Sequence, residues 1–402
     1  MLRQNISKII EGHNTFALDL YAQLARIDKV NLFFSPHSIY TALCMTYLGA
    51  RGKTAQEMAD VLCMDLNPEQ ITVLSEGIIQ RLKNPQLVVL EENVGGELRE
   101  KKVSAYQLCV ANALWAGREF PFREDYISLV RKRFYAELME LDFVSDPESG
   151  RQIINGWIES KTNQKIKEFL PPGIIQNDTR LILTNAIYFM SNWAKTFEKQ
   201  MTKDLSFTLI DKTKVKCPQM FQKDRFGYME TETFQGLYLP YKGHDLEMVI
   251  FLPKNANGLP ELENKINIKN LNEWMGKFKH HKVEVTLPKF EFSYSINLGG
   301  VLQAMGMKQA FTWPGADFSG MTTNPELVIS IVLHKAFLAV DEEGTEAVAA
   351  TAVIMPVGAS PMRFRKEIKP KIFKADRPFL FIIRHQKTGA VIFMGRLLNP
   401  IG

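Results

Sequence analysis

The 402-residue chain carries 49 basic and 44 acidic side chains, a net charge of +5, and 46% hydrophobic residues, which is typical of a soluble globular protein. No apolar run approaches the roughly 18 to 20 residues that a membrane-spanning helix needs, which excludes an integral membrane protein. The positive excess is local, with six basic residues and one acid between Arg363 and Lys374. The balanced remainder argues against a dedicated nucleic-acid-binding protein.

The first third of the chain is dominated by amphipathic helices. Apolar residues recur there at the spacing that places them on one helical face. The predicted helices are Ser7–Arg26, Ser38–Leu48, Thr54–Leu62, Pro68–Leu82, Arg123–Phe134 and Pro147–Glu168. Thr54 is followed three residues later by Glu57, a capping-box pattern, and we therefore expect that helix to begin at Thr54.

Strand-like runs rich in β-branched and aromatic residues dominate the last two thirds. The predicted strands are Ala105–Trp115, Leu181–Phe189, Phe207–Leu209, Leu237–Tyr241, Glu247–Leu252, Val283–Phe292, Val328–Val340, Pro378–Arg384 and Ala390–Arg396. The segregation of helices from strands indicates an α+β fold with antiparallel or mixed sheets. Between Asn84 and Val103, a charged, glycine-containing insertion predicts a mobile loop.

A long connection without a clear helical or strand pattern runs from Glu342 to Phe373. Structureless connections of this length are uncommon in compact domains and are usually functional or disordered. Its segment Thr345–Met355 contains no proline or glycine and one charge, Glu346. Taken alone, Glu342–Ala352 is equally compatible with a helix, because glutamate and alanine favour one.

No motif in the chain predicts catalysis or a bound cofactor. The sequence lacks the nucleophile-elbow, phosphate-loop, zinc-protease and CxxC patterns. His280 and His281 lie in a basic stretch with no carboxylate at ligand spacing, which favours a solvated turn over a metal site. We therefore expect no enzymatic activity, no metal and no cofactor.

The cysteines and the start of the chain bear on the cellular compartment. Cys44, Cys63, Cys109 and Cys217 lie in apolar or mixed surroundings, and we expect buried free thiols rather than disulfides or metal ligands. The first residues, Met1–Ala17, lack the apolar core of a signal peptide. This predicts a cytoplasmic protein, or an extracellular one if a signal has been removed.

A series of motifs follows one order along almost the whole chain. They are Asn31–Glu57, Leu183–Trp193, Asp317–Met321, His334–Lys335, Asp341–Ala350, Phe373–Ile382 and Gly395–Arg396. Together they closely resemble the signatures of the serpin family of serine protease inhibitors. The resemblance implies one serpin domain over residues 1–402, α+β in class, with three β-sheets, about nine helices and an exposed reactive-centre loop at about 342–373.

The resemblance also implies a mechanism of suicide inhibition. A protease takes the loop as substrate, becomes acylated, and is trapped when the cleaved loop inserts as a new middle strand of the largest sheet. The implied hinge residues of the loop are Glu342, Gly344, Thr345, Glu346, Ala347, Ala349 and Ala350. The implied shutter residues, which hold the sheet closed, are Ser35, Ser38, Asn185 and His334, with Trp193 at the breach where insertion begins. Considered alone, the four polar residues equally suggest a satisfied buried hydrogen-bond network.

The alternation of side chains along a strand indicates that the segment after Gly344 suits insertion. One face would carry Thr345, Ala347, Ala349, Thr351, Val353 and Met355. Small side chains near its start keep the steric barrier low. A charge on that face would be buried unpaired, which costs several kcal/mol.

The family's pattern, counted from Glu342, places the reactive bond at Gly358–Ala359. Proline cannot donate to a ladder, and Pro356 lies where the inserted stretch would finish. Alternative positions for the reactive bond are Val357, Arg363 and Arg365. The small residues favour an elastase- or subtilisin-like serine protease as the partner, with a trypsin-like protease second.

Three further interpretations stay open. One is a non-inhibitory serpin that acts as a carrier or chaperone, although such proteins typically lose the small-residue hinge. A second is cross-inhibition of a cysteine protease. A third is polyanion contact through the basic cluster Arg363, Arg365, Lys366, Lys369, Lys371 and Lys374. In each case we expect a monomer that does not bind a membrane.

Overall fold

The computed structural model describes residues 2–64, 80, 82, 84–94, 97–345 and 369–402. Within these ranges the chain forms eight α-helices: α1 (Leu2–Ile27), α2 (Pro36–Gly49), α3 (Gly52–Val61), α4 (Glu124–Phe134), α5 (Pro147–Lys161), α6 (Leu259–Lys265), α7 (Ile268–Met275) and α8 (Gly299–Met305). The predicted helix Pro68–Leu82 lies almost wholly outside the described residues. No described helix combines the length and apolar character that crossing a membrane requires.

The strands build three sheets, so the predicted α+β class with three sheets is confirmed. In chain order they are β1 (Leu32–Phe34), β2 (Leu87–Val94), β3 (Glu97–Ser104), β4 (Tyr106–Gly117), β5 (Glu137–Leu141), β6 (Leu181–Asn192), β7 (Lys203–Thr208), β8 (Lys214–Glu230), β9 (Phe234–Pro240), β10 (Leu246–Pro253), β11 (Lys279–Pro288), β12 (Phe290–Asn297), β13 (Ile329–Val340), β14 (Gly344–Thr345), β15 (Lys371–Lys374), β16 (Phe379–His385) and β17 (Val391–Leu397). A nine-stranded sheet has the order β1-β17-β16-β10-β9-β8-β11-β15, with β7 attached to β8. A six-stranded sheet has the order β12-β13-β14-β6-β4-β5, and among the described strands β2 pairs with β3 alone.

The six-stranded sheet is covered on both faces. On one face it packs against the nine-stranded sheet, where Phe189 of β6 and Phe393 of β17 have ring centroids 5.4 Å apart. On the other face, Ile154 and Ile158 of α5 form a cluster with Ala186 of β6. Central strands buried on two sides need long apolar runs, and β6 is such a run.

The start of α3 differs from the sequence prediction. The helix begins at Gly52, so Thr54 lies inside it. The Thr54 hydroxyl accepts a hydrogen bond from the backbone N–H of Asp317. The Glu57 carboxylate accepts two more, from the backbone at 308–309. The capping-box prediction was therefore wrong, and both side chains instead fasten later segments of the chain to α3.

The predicted strand Val283–Phe292 is two strands in different sheets. β11 ends at Pro288, which lacks an N–H to continue a ladder, and β12 begins at Phe290. His280 and His281 lie within β11, paired with β8, so the predicted solvated turn was wrong.

Two further stretches also differ from prediction. α5 ends at Lys161 rather than Glu168, because Asn163 and Gln164 adopt left-handed backbone conformations with φ of 50° and 60°. The insertion between Asn84 and Val103, predicted as a mobile loop, contains the antiparallel hairpin of β2 and β3. That hairpin forms the third sheet.

The four cysteines all lie within the described ranges, and no disulfide joins them. The predicted burial is confirmed for Cys44 and Cys217, whereas Cys63 and Cys109 are half-buried. Desolvation raises the pKa of the Cys109 and Cys217 thiols, which keeps both protonated and unreactive at neutral pH.

Candidate functional site

A tight turn at Asp341–Thr345, which we call the hinge turn, connects β13 to β14. The Asp341 carboxylate accepts hydrogen bonds from the backbone N–H groups of Glu343 and Gly344, at 2.8 and 3.1 Å. The Asp341 N–H donates to the Gly344 carbonyl at 2.9 Å. The chain therefore reverses here, and β14 runs antiparallel to β13.

β14 is a two-residue wedge between the central strands of the six-stranded sheet. Thr345 pairs with Val340 of β13 on one side and with Ser191 of β6 on the other. Beyond the wedge, β13 and β6 pair directly and in parallel over Ile329–Phe337 and Leu181–Tyr188. We call this direct pairing the seam. The sheet is parted only at the end where the hinge turn enters.

Gly344 is required by the close approach of two backbones. A Cβ atom at this position would lie 2.6 Å from the Cα of Asn192 and closer still to the carbonyl oxygen of Ser191. Real Cβ contacts are never this short, and both neighbours are backbone atoms of β6. A larger residue therefore requires β14 to move away from β6.

Two aromatic side chains hold the hinge turn in place. The buried Thr345 hydroxyl shares a 2.7 Å hydrogen bond with the hydroxyl of Tyr241. The Trp193 ring stacks on Tyr241, with centroids 4.6 Å apart and planes 11° from parallel. The Trp193 indole N–H donates to the Asp341 carbonyl at 3.0 Å, and its backbone N–H donates to the Glu343 carbonyl at 2.8 Å. The two rings thus contact both ends of the turn.

Glu342 anchors the outside of the hinge turn. Its carboxylate accepts hydrogen bonds from the Lys289 ammonium and the Thr202 hydroxyl, each at 2.7 Å. Burial opposes the charged form, but these two hydrogen bonds outweigh it and lower the pKa of Glu342. The anchor is therefore ionised at neutral pH.

A buried row of polar side chains crosses the middle of the six-stranded sheet. Asn112 of β4, Asn185 of β6 and His334 of β13 lie opposite one another in register. The Asn185 amide donates to Asn112 Oδ1 and, at 2.6 Å, to the Ser38 hydroxyl. The Ser35 N–H donates to His334 Nε2 at 3.3 Å. We call these five residues the polar row, and through it the N-terminus of α2 is bound to the seam.

The hydrogen bonds define the protonation of His334. Because the Ser35 N–H donates to Nε2, the proton of the neutral ring is on Nδ1, which donates to the Asn185 amide oxygen. Burial lowers the pKa of His334 to about 3, so the ring is neutral under physiological conditions. Ser35 also caps α2, accepting from the Ser38 N–H at 3.1 Å.

The structure brings together some of the residues predicted for the site and does not describe others. All four predicted shutter residues belong to the polar row, and Trp193 lies against the hinge turn. Both ends of the predicted loop 342–373 lie in strands, since β14 begins at Gly344 and β15 begins at Lys371. The other predicted loop residues lie outside the described residues, and they are Glu346, Ala347, Ala349, Ala350, Val357, Gly358, Ala359, Arg363, Arg365 and Lys366.

Three residues of the predicted polyanion cluster are described. Lys369, Lys371 and Lys374 are all exposed. The Lys371 ammonium lies 3.6 Å from a Glu230 carboxylate oxygen, and that of Lys374 lies 3.1 Å from Asp376. These carboxylates reduce the positive potential that an anionic ligand would meet.

Sequence reasoning missed Asn112 and Tyr241. Asn112 had a usable signal, because it is a polar residue within the apolar run ANALWA of β4. Tyr241 had none, because its contact with Thr345 joins residues 104 positions apart in the chain.

Comparison with known proteins gives one consistent result. A family model described as Serpin (serine protease inhibitor) matches residues 11–400. An uncharacterized serpin-like protein of Thermococcus kodakarensis is 39% identical over 392 residues, covering 98% of this chain and 86% of the relative. Leukocyte elastase inhibitor of Xenopus tropicalis is 38% identical, covering 96% and 97%. The solved structure of uncleaved ovalbumin matches with a TM-score of 0.84 at 27% identity, covering 98% of this chain and 100% of ovalbumin.

Replacing Gly344 by alanine should expel β14 from the sheet. The clash with β6 is with backbone, so we expect the free energy of unfolding to fall by about 1–3 kcal/mol, the usual cost of overpacking. Gly300→Ala in α8 is the matched control, because a Cβ there meets nothing within 4 Å. Denaturant titration of both variants measures the effect. Equal stability of Gly344→Ala and the native chain would contradict the wedge.

The buried His334 should make stability depend on pH. Its pKa is about 3 in the fold against 6.5 for a solvated histidine, so its contribution is complete above pH 6.5 and is lost as the pH falls towards 3. His334→Gln should reduce the slope of unfolding free energy between pH 6 and 4.5 by roughly 1.4 kcal/mol per pH unit. The exposed His280 provides the control variant His280→Gln. An unchanged slope in His334→Gln would show that His334 is not neutral in the fold.

Proposed function

This chain belongs to the serpin family, and from that premise we propose that it inhibits a serine protease as a suicide substrate. The protease serine attacks the carbonyl of the reactive bond, the new N-terminus leaves, and the acyl-enzyme is trapped as the cleaved loop enters the six-stranded sheet. The observation that carries the proposal is the wedge, in which two residues already lie antiparallel between β13 and β6. The chain acts as a substrate and not as a catalyst.

The register of the wedge defines where the following residues would lie. Each step along the loop beyond Thr345 moves one residue back along both β6 and β13. Met355 would then face Leu181, the first residue of β6. Insertion in this register takes up Thr345–Met355 and stops before Pro356, which cannot donate to a ladder.

The same register assigns a face to each inserted residue. Thr345 is buried against the core between the two large sheets, and residues two apart along a strand share a face. Ala349 would therefore point into that core between Ile187 and Ala336, both of which have no exposed surface. The space there accepts a methyl group but not a charge.

Insertion would break the polar row and supply a replacement for it. In the wedge register Thr351 lies between Asn185 and His334. Its hydroxyl is one donor and an acceptor, which suits the Asn185 amide oxygen and the His334 Nδ1–H that insertion separates. An apolar residue there would leave buried polar groups unpaired, at about 1–3 kcal/mol each.

The length of the inserted strand supports the proposal that the reactive bond lies at Gly358–Ala359. Gly358 is three residues beyond Met355, so a protease joined to it would be drawn to within roughly 10 Å of the end of β6. Cutting after Arg363 or Arg365 would add five or seven residues, or roughly 15 to 25 Å of slack. Slack of this size would leave the protease undistorted and free to deacylate.

The class of protease follows from the residues around that bond. Val357, Gly358 and Ala359 are small and suit an elastase- or subtilisin-like pocket better than a trypsin-like one. A relative named as an inhibitor of leukocyte elastase supports this choice. We propose that the inhibitor acts as a monomer.

A non-inhibitory role as carrier or chaperone has weaker support. Gly344 and Thr345 already occupy the position from which insertion proceeds, and the residues after them are small. Cross-inhibition of a cysteine protease and polyanion contact stay predictions that no described residue specifically favours.

Incubation with pancreatic elastase or subtilisin should produce an SDS-resistant complex whose released fragment begins at Ala359. The acyl bond survives because insertion of Thr345–Met355 distorts the protease before water can attack. Trypsin should cleave downstream without being trapped. A released N-terminus at Phe364 or Lys366 in a trapped complex would refute the length argument, and clean cleavage by every protease tested would refute inhibition itself.

Charge substitutions at neighbouring positions should behave differently. Ala349→Glu places a carboxylate in the core, so insertion slows and the trapped fraction should fall at least about tenfold. Ala350→Glu is the comparison variant, because that side chain would point to the other face, between the buried Ala186 and the half-buried Lys335, whose ammonium could pair with the carboxylate and make the loss smaller. Stoichiometry of inhibition measures both. Equal losses in the two variants would show that the wedge register does not extend along the loop.

A further inference from the structure

Arg180 joins the two sides of the seam at the end furthest from the hinge turn. The residue directly precedes β6, and its carbonyl accepts a hydrogen bond from the N–H of Gly117, the last residue of β4, at 2.9 Å. Its own backbone N–H donates in the other direction, to the hydroxyl of Ser330 in β13, also at 2.9 Å. An inserted strand would have to part Arg180 from Ser330 before it could finish.

Ser330 lies at the irregularity in the pairing of β13 with β6. Leu181 pairs with Ile329, whereas the next residue, Ile182, pairs with Ile331, so Ser330 is an extra residue that the ladder leaves unpaired. A bulge of this kind bends the strand locally and changes the direction of a side chain. Here the bulged residue presents its hydroxyl to the backbone N–H that precedes β6.

The Arg180 guanidinium makes a second connection across the same end. It donates a hydrogen bond to the backbone carbonyl of Glu326 and lies 4.0 Å from a carboxylate oxygen of that residue. Its central carbon lies 5.8 Å from the ring centroid of Phe120 and 5.3 Å from that of Trp313. Stacking between two rings fixes the direction in which the guanidinium donates.

Glu326 belongs to the segment that would have to follow β13 if the seam opened at this end. The Asn324 amide donates to the Glu119 carbonyl at 2.8 Å, which fastens the chain before Glu326 to the segment that follows β4. β13 begins only five residues after Asn324. The residues 325–328 must therefore change conformation when β13 moves, and Arg180 holds them at Glu326.

We propose that Arg180, Ser330, Glu326 and Trp313 form a clasp at the far end of the seam, and that opening of this clasp limits the last stage of loop insertion. The role of the clasp in insertion rests on the proposed inhibitory function. Its closure of the seam in the uncut protein does not.

The wedge register places the clasp at the end of the inserted strand. In that register Met355 faces Leu181, so the positions before it can fill while the clasp is still closed. Completion separates β13 from β6 by one interstrand spacing, about 4.8 Å, over which the 2.9 Å bond between Arg180 and Ser330 cannot persist. A loop that stops at the clasp leaves slack in the tether, so a trapped protease would deacylate more readily.

The first test is the rate at which the intact protein takes up a synthetic peptide with the sequence of residues 346–355, followed by native gel. Arg180→Met keeps the length of the side chain and its packing between the rings but cannot donate to Glu326. Uptake should be about tenfold faster, the factor equivalent to a barrier lowered by about 1.4 kcal/mol. Arg118→Met is the matched control, because the Arg118 guanidinium lies 3.9 Å from Asp142, on the same side of the seam, and its uptake rate should equal that of the native chain.

The second test locates the opening by hydrogen exchange of the uncut protein. Arg180→Met should increase amide exchange at residues 181–183 and leave it unchanged at 186–188, because the clasp closes only the end of the seam. A merely structural role would lower the stability of the whole fold and increase exchange along all of β6. Equal uptake by Arg180→Met and the native chain, or exchange increased evenly along β6, would overturn the clasp.

A third variant covers the case in which Arg180→Met does not fold. Trp313 is 53% exposed, so Trp313→Ala should fold, and loss of one ring should speed uptake about threefold and increase exchange at 181–183. Unchanged values for both quantities would also overturn the clasp. Failure of the peptide to enter any of the proteins would count against the proposed function, and the exchange at 181–183 would then decide the clasp by itself.

Discussion

The arrangement of strands in the six-stranded sheet depends on the register in which Gly344 and Thr345 lie between β13 and β6. The wedge pairs antiparallel with both strands, and the seam beyond it pairs those strands directly in parallel. The offset between β13 and β6 is the same in the wedge and in the seam. Val340 and Ser191, which both pair with Thr345, are as far apart in the chain as His334 and Asn185, which pair directly. A strand can therefore enter if the two strands separate by about one interstrand spacing of 4.8 Å, without sliding along each other. Gly344 makes that register possible, since a side chain there would collide with β6.

Because β13 and β6 would separate without sliding along each other, the polar row between them is the part of the sheet that resists their separation. The direct pairing of β13 with β6 is regular from Ile331 to Phe337, with an irregularity between Ile329 and Ile331. His334 lies at the centre of that regular stretch, so its hydrogen bond to Asn185 is the furthest from either end. Apolar surface that opening exposes is covered again by the incoming strand, whereas a buried hydrogen bond without a replacement costs its full desolvation. Thr351 would supply replacement hydrogen bonds to Asn185 and His334. These two residues would therefore delay the opening of the seam and then favour completion of the insertion.

Sequence reasoning predicted the fold class correctly, and most of the strands that it predicted are present, because central strands buried on two faces require long apolar runs. It missed β8, the 17-residue strand whose run KVKCPQMFQKDRFGYME mixes exposed charges, a proline and buried aromatics. The capping box failed because Thr54 and Glu57 bind backbone more than 250 positions away, which no local pattern reports. The positions of Ser35, Ser38, Asn185 and His334 were anticipated through the family resemblance. Asn112 and Tyr241 required the register and packing of the folded chain.

The hinge turn also explains how a sheet can be metastable and yet remain closed. Entry of the first strand residues is the unfavourable step of pairing, because chain entropy is lost before many contacts form. Here that step is complete, since Thr345 is bonded to Tyr241 and paired on both sides. In the proposed mechanism, insertion would then continue along the seam, and each inserted residue would replace one direct pairing between β13 and β6 by a pairing on either side of the new strand. In that mechanism the uncut chain would be held back, because the segment from Glu346 onward must also reach Lys371 at the start of β15, in the other large sheet. Cleavage of the proposed reactive bond would remove that constraint, so the tether to β15 would act together with the polar row in keeping the intact protein from completing its sheet.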